Sequence, residues 1–236
     1  MPPEPPRADL ADYRGLVVPA PLLPFRASGS VLFHHGDEVE SGTMVLGGTA
    51  GGAYRLEVHA RLTGALALEL RFDERRLLFL DHASETYFLG PNGPEERRRL
   101  FSLDVTPAEF QFIVTGRVPR PWFEGGAGRL DGAGGAAFAR DGARYRIDLD
   151  DHGLPRRWVK ERDGATVFEV QYRSYSEVTL AEGAPLRLPR TVRVGLPGRP
   201  PLLVLGIREF LPARAPLLPV NLAAPEGERW RPAPLP

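Results

Sequence analysis

The chain has 236 residues, with 30 lysines and arginines balanced by 30 aspartates and glutamates, and no cysteine. Zero net charge excludes a general nucleic-acid binder, which needs a concentrated basic surface. The missing thiols exclude disulfides, thiolate nucleophiles and cysteine metal sites, and no stretch approaches the roughly 20 apolar residues of a membrane-crossing helix.

The opening, MPPEPPRADLADYRG, has neither the basic nor the apolar region of a signal peptide. Pro2, Pro3, Pro5 and Pro6 read as an extended tether, assigned to residues 1–24. A short helix is expected over 10–16, and Pro19, Pro21 and Pro24 then prevent regular structure. In PFRASGSVLF, Phe25, Ala27, Gly29, Val31 and Phe33 share one face of a strand, opposite Arg26, Ser28 and Ser30. A polar turn at Gly36 and Asp37 leads to a strand over 38–46, broken by Gly47, Gly48, Gly51 and Gly52. The next strand sets Tyr54, Leu56 and Val58 against Arg55, Glu57 and His59. ALALELRF then puts Leu66, Leu68, Leu70 and Phe72 on one face, and strands over 76–81 and 85–89 follow.

The period then changes. Residues 94–101 can form a short helix, in which the run Arg97, Arg98, Arg99 after Glu95 and Glu96 reads as a solvated face, or as a contact with anionic lipid. Thr106 is placed to cap a second helix, with Pro107 at the first helical position and Glu109 at the capping-box position. Val105 and Phe110 suit a hydrophobic staple, and Phe110, Ile113 and Val114 form an apolar stripe that should pack on a sheet. Residues 116–135 are irregular around Trp122 and Phe123. Hairpins are expected through Asp141–Gly142 and Asp163–Gly164. RTVRVGL and LLVLGIREF form a last pair, and residues 212–236 read as an irregular extension. About eleven strands without strand–helix alternation favour one antiparallel sheet, a single domain over 25–211, and disfavour a Rossmann or barrel enzyme.

Catalytic chemistry is hard to find. His34, His35, His59, His82 and His152 fit no zinc spacing, and no GxSxG elbow or phosphate-binding GxxxxGK[ST] loop occurs. Asp148, Asp150, Asp151 and His152 read as a solvated hairpin end. No enzyme, metal or cofactor is expected; an enzyme would have to gather some of His59, His82, Asp81 and Glu85 in one cleft. The apolar strand faces leave two readings open: an ordinary sandwich core, or a curved sheet enclosing a lipid chain beneath a helical lid. Leu62, in ARLTG between two strands, either folds back into the core or points outward.

PFRASGSVLF, the strand with Ser41 and Gly42, AYRLEVHARLTGALALEL, TPAEFQFIVTG, VFEVQYRSY and LPRTVRV together resemble LolB, the outer-membrane receptor that accepts lipoproteins from the carrier LolA. The resemblance covers residues 24–210. It departs where the family's LPxxxLxxWLxG-like segment meets Val105, Pro107, Phe110 and Gly116 here. It implies a mainly β fold, a strongly curved antiparallel sheet forming an incomplete β-barrel with a short helical lid. It implies non-catalytic binding of lipoprotein acyl chains, with acceptance or insertion at the periplasmic side of the outer membrane, by a monomer anchored through a lipidated residue upstream. LolA-like carriers and outer-membrane lipid are the implied partners. Leu62, Thr63 and Gly64 correspond to the family's protruding-leucine loop; Leu66, Leu68, Leu70, Phe72, Phe110 and Ile113 are candidates for the cavity or core. A soluble periplasmic lipid carrier and a structural interaction domain of the cell envelope are the alternatives.

Overall fold

The computed structural model describes residues 17–18, 24–35, 38–49, 51–119, 122, 128–131, 135–178, 185–212 and 220–235. The tether expected over 1–24 and its helix lie almost wholly outside the described residues. The strands are β1 (Val17–Val18), β2 (Phe25–His35), β3 (Glu38–Gly48), β4 (Tyr54–Ala60), β5 (Leu66–Phe72), β6 (Arg76–Asp81) and β7 (Thr86–Pro91). Helices α1 (Pro94–Phe101) and α2 (Pro107–Thr115) come next. The chain continues with β8 (Val118–Pro119), β9 (Gly128–Asp131), β10 (Gly135–Arg140), β11 (Ala143–Leu149) and β12 (Pro155–Arg162). It ends with β13 (Ala165–Val178), β14 (Leu186–Gly195), β15 (Leu203–Pro212) and β16 (Arg231–Pro232).

Among the described residues fourteen strands form one sheet in the order β16-β7-β6-β5-β4-β3-β2-β15-β14-β13-β12-β11-β10-β9, and β1 pairs with β8 apart from it. The neighbours are antiparallel and consecutive in the chain, except that β2 pairs antiparallel with the distant β15 and β16 runs parallel to β7. The expected incomplete β-barrel is therefore corrected: the sheet is open and is neither closed nor strongly curved. Among the described residues its end strands β16 and β9 do not pair with each other. Barrel closure needs free edges that meet. Here the β7 edge is occupied by the chain's own C-terminal residues, with Arg231 opposite Thr86 and Pro232 opposite Tyr87.

Strand alternation gathers most buried apolar side chains into one cluster, while Leu78 and Leu80 of β6 are buried outside it. Phe168, Val170 and Tyr172 of β13 and Val192 and Val194 of β14 are buried in a single apolar cluster with Met44, Leu46, Tyr54 and Leu56. The two Asp-Gly hairpins turn as their composition requires: Asp141, Gly142, Asp163 and Gly164 all have positive φ. β3 runs two residues past the expected end at Leu46: Gly47 and Gly48 still pair with Arg26 and Phe25. Where β2 meets β15 the backbones approach so closely that a Cβ on Gly29 would sit 1.9 Å from the Gly206 carbonyl oxygen, so only glycine fits.

α2 is seated on this core. Thr106 accepts from the Glu109 backbone N–H, the Glu109 carboxylate accepts from the Thr106 N–H, and Gly116 closes the helix in the left-handed conformation. Phe110 meets Tyr54 and Phe72 edge-on, at 5.3 and 5.2 Å, while Phe112 lies 4.2 Å from Trp158. The helix thus touches both halves of the sheet. Beneath it Glu109 Oε1 accepts from Lys160 Nζ at 2.8 Å, both side chains 1% exposed, and from the Tyr145 hydroxyl at 2.6 Å. Removing one member of such a pair strands a buried charge. Lys160→Met is expected to lose about 3–5 kcal/mol of stability in urea denaturation, and the double change with Glu109→Gln should recover part of it. Additive losses would show that the two groups do not interact.

Candidate functional site

α1 is built as a light cover. Pro94 occupies its first turn with Glu95 and Glu96, and Arg98 and Arg99 lie in its last, both favourable to the helix dipole. The arginine run is not a uniformly solvated face, as expected: Arg97 is buried. It holds Asp104 at 2.7 Å and donates to the Asn92 carbonyl at 2.5 Å. Arg97 is the helix's sole buried residue, and Leu100 and Phe101 are half-buried against the core.

Beneath Leu100 and Phe101 runs an apolar cleft. Its inner part, about 90 Å³, lies between Phe33, Phe72, Val105, Phe110, Ile113 and Leu203. A middle part of about 270 Å³ is walled by Leu56, Val58, Leu68, Leu70 and Phe79, with Glu40 and Arg99 the only charged lining groups among the described residues. The cleft continues into a rim of about 480 Å³ past Ser41, His59, Ala60, Ala67 and Asp81. Phe33 belongs to all three parts. These volumes approach the range of roughly 300–1,000 Å³ typical of small-molecule sites.

The sequence candidates divide clearly. Leu68 and Leu70 wall the middle of the cleft, while Phe72, Phe110 and Ile113 line its inner end and are otherwise buried. Leu66 is half-buried and lines none of these parts. Leu62 is 99% exposed. Its turn is ordered rather than slack: the Gly64 N–H donates to the Ala60 carbonyl, the Ala65 N–H to the Thr63 hydroxyl, and Gly64 sits at φ +69°. The turn springs from Ala60, which is part of the cleft rim. Sequence reasoning did not single out Phe33, Val58, Phe79, Leu100 and Phe101 as cleft residues. Phe33 was on the apolar face of its strand; Leu100 and Phe101 close a charge-rich helix whose cover role no periodicity signals.

Of the four groups an enzyme would have to gather, His59 and Asp81 both line the cleft rim, while His82 and Glu85 line none of its parts. The His59 ring reaches Glu57 at 3.4 Å and the Gly64 carbonyl at 3.2 Å. His82 faces Glu69 at 3.8 Å and meets Trp230 edge-on at 5.0 Å; burial lowers its pKa, and Glu69 opposes that. Glu85 is exposed in a turn at φ +54°. Among the described residues no group of three or more His, Asp or Glu is placed to hold a metal ion. At the far hairpin Asp150 accepts from the His152 and Leu154 N–H groups, a turn-capping role.

No family model matches the sequence, and no curated protein does. Among solved structures, the fold is similar to a LolA superfamily protein from Nitrosomonas europaea, with 9% identity, 88% of this chain and 93% of that chain covered, and a TM-score of 0.49. It is also similar to a domain from Vibrio parahaemolyticus named for outer-membrane lipoprotein sorting, with 12% identity, coverage of 85% and 87%, and a TM-score of 0.48. These similarities carry no residue role over to this chain.

Asp104 ties the cover to the sheet. Burial would raise its pKa, but hydrogen bonding to Arg97 and the charges of Lys160, Arg97 and Arg162 hold it below the usual carboxylate range. A carboxylate with a depressed folded pKa contributes stability that is present above its unfolded value and lost as pH falls through the folded one. Asp104→Asn is therefore expected to lower the thermal midpoint near pH 7. It should also flatten the acid decline that the parent shows below the ordinary aspartate value of about 3.9. Parallel pH–Tm curves for parent and variant would contradict this role.

Proposed function

We propose that the chain binds the acyl chains of lipoproteins in the cleft under α1. It accepts or delivers them at the periplasmic side of the outer membrane without covalent chemistry, receiving cargo from a LolA-like carrier. The observation that carries the reading is the continuity of an apolar cleft with a rim from which the fully exposed Leu62 projects. The resemblance of the β2 and β4–β5 sequences to LolB supports the same cargo. Native attachment through an upstream lipidated residue belongs to this proposal.

The energetics suit transfer. Each methylene entering the cleft contributes about 0.8 kcal/mol. The walls at Leu56, Val58, Leu68, Leu70 and Phe79 offer no side-chain hydrogen bond to hold the chain back. α1, with little of its surface buried, is the element able to lift. Insertion of Leu62 into lipid is worth roughly 1.5–3 kcal/mol, which biases a transient encounter without anchoring the protein. A soluble carrier would use the same cleft, but a projecting leucine beside it favours delivery to a bilayer.

Two variants separate cleft from loop. Leu68→Trp fills the middle of the cleft and is expected to weaken binding of the fluorescent fatty acid parinaric acid roughly tenfold or more, about 1.4 kcal/mol, with a preserved thermal transition. Undiminished binding by a folded Leu68→Trp protein would remove the cleft from the proposal. Leu62→Glu should keep both the thermal transition and parinaric acid binding, yet cut lipoprotein transfer to liposomes several-fold, because a charge resists entry into apolar surroundings. Transfer at the parent rate would leave the loop without a role.

A further inference from the structure

The outer face of the sheet carries a second pocket, of different chemistry. Glu169 of β13 lies opposite Gly195 of β14, so no side chain fills the space across from its carboxylate. The turn over 196–201 folds back beside that space so closely that a Cβ on Gly195 would sit 3.1 Å from the Pro201 Cα. The cavity left is about 240 Å³, lined by Glu169, Gln171, Arg193, Gly195 and Arg199.

Its charges are unbalanced. Glu169 is already satisfied: Arg157 donates to one oxygen at 2.6 Å and the Gln171 amide to the other at 2.7 Å. Hydrogen bonding to Arg157 leads the effects that hold its carboxyl below the usual range, so the pair is neutral in sum. Arg193, directly across the ladder from Gln171, has a buried Nε with no hydrogen-bond partner. Neither its guanidinium nor that of Arg199 meets a carboxylate among the described residues. A buried N–H donor on a fixed charge is costly unless something accepts from it. Two arginines lining one small pocket supply the kind of charged donors that oxyanions take.

We propose that this pocket binds a tetrahedral oxyanion, and that its occupant is the phosphate of a membrane phospholipid. The oxyanion half stands on the pocket alone; the lipid half rests on the reading that the Leu62 end of the sheet meets a bilayer. The registers place both features at that end. Val194 pairs with Leu203, Leu203 with Phe33, Phe33 with Glu40, and Gly42 with Ala60, so the 196–201 and 61–65 turns leave from the same rim. Val39, also exposed, lies on the same rim. Four strand spacings separate β14 from β4, about 20 Å along the sheet. One bilayer surface can take Leu62 into its apolar layer while a headgroup phosphate enters the pocket.

The test uses inorganic phosphate first and vesicles second. In nitrogen-15 spectra of the full chain, phosphate should shift the Arg193 Nε–H resonance saturably, while sodium chloride at equal ionic strength should not. Arg199→Gln, an exposed position, should weaken that phosphate affinity roughly tenfold; Arg193→Gln should abolish the site. In the vesicle arm, the parent should sediment with phosphatidylglycerol vesicles, excess phosphate should release it, and Arg199→Gln should sediment several-fold less. No saturable shift, or an equal shift with chloride, overturns the site. Saturable phosphate binding with unchanged vesicle sedimentation of Arg199→Gln assigns the pocket to free phosphate and overturns the lipid assignment. Parinaric acid binding should stay at the parent level in both variants, so failure of this pocket and failure of the acyl cleft give different results.

Discussion

The Glu109 carboxylate accepts from the Thr106 N–H at 2.7 Å, the Tyr145 hydroxyl at 2.6 Å and the Lys160 ammonium at 2.8 Å, at 1% exposure. One side chain thus caps α2, binds it to β11 and β12, and neutralises a lysine that could not otherwise be buried. Burial and the Glu109 charge push the Tyr145 hydroxyl far above its usual range, which keeps it a proton donor to that carboxylate. Each partner is tolerable only because the others are present, since a half-satisfied buried network is worse than an apolar core. With α2 fixed in this way, Phe110 and Ile113 become the rigid inner end of the cleft.

Rigidity at α2 and lightness at α1 divide the work. α2 buries most of its residues, whereas α1 is held by Arg97, by a hydrogen bond from Arg99 to the Leu235 carbonyl, and by half-buried Leu100 and Phe101. Local opening follows the elements with the fewest buried contacts, and α1 is the one lying over the cleft. The C-terminal residues contribute to the same end of the molecule. They occupy the β7 edge, and Leu235 is buried in the core cluster, so an apolar residue from the last turn of chain helps close the side of the sheet that α1 covers.

Much of this was legible in the residues. Thr106, Pro107 and Glu109 spelled out the start of α2, and the alternation in ALALELRF put Leu68, Leu70 and Phe72 on the core face where they lie. Asp-Gly pairs marked two hairpins because they accept positive φ at both central positions at low cost. The openness of the sheet was not legible, because periodicity reports which face a residue takes and says nothing of which strands sit at the edges. The two-residue strand at Arg231 has no pattern to show; its pairing depends on a free edge contributed by Thr86 and Tyr87, far away in the chain. Arg97 looked solvated because its neighbours are charged, while its burial depends on Asp104 and the Asn92 carbonyl beyond the helix ends. Lys160 carried a usable signal: it shares the inward face with Trp158, where alternation calls for an apolar residue, and such an exception marks a buried partner.

The central claim is that an acyl chain lies between α1 and the β2–β6 wall, and a spin-labelled fatty acid tests it most directly. With a nitroxide along the chain of bound stearate, methyl resonances of Leu56, Val58, Leu68, Leu70 and Leu100 should broaden selectively. Those of Leu188 and Val192, buried elsewhere in the core, should stay sharp. Broadening confined to surface methyls, or spread evenly over the protein, would contradict an acyl chain in this cleft.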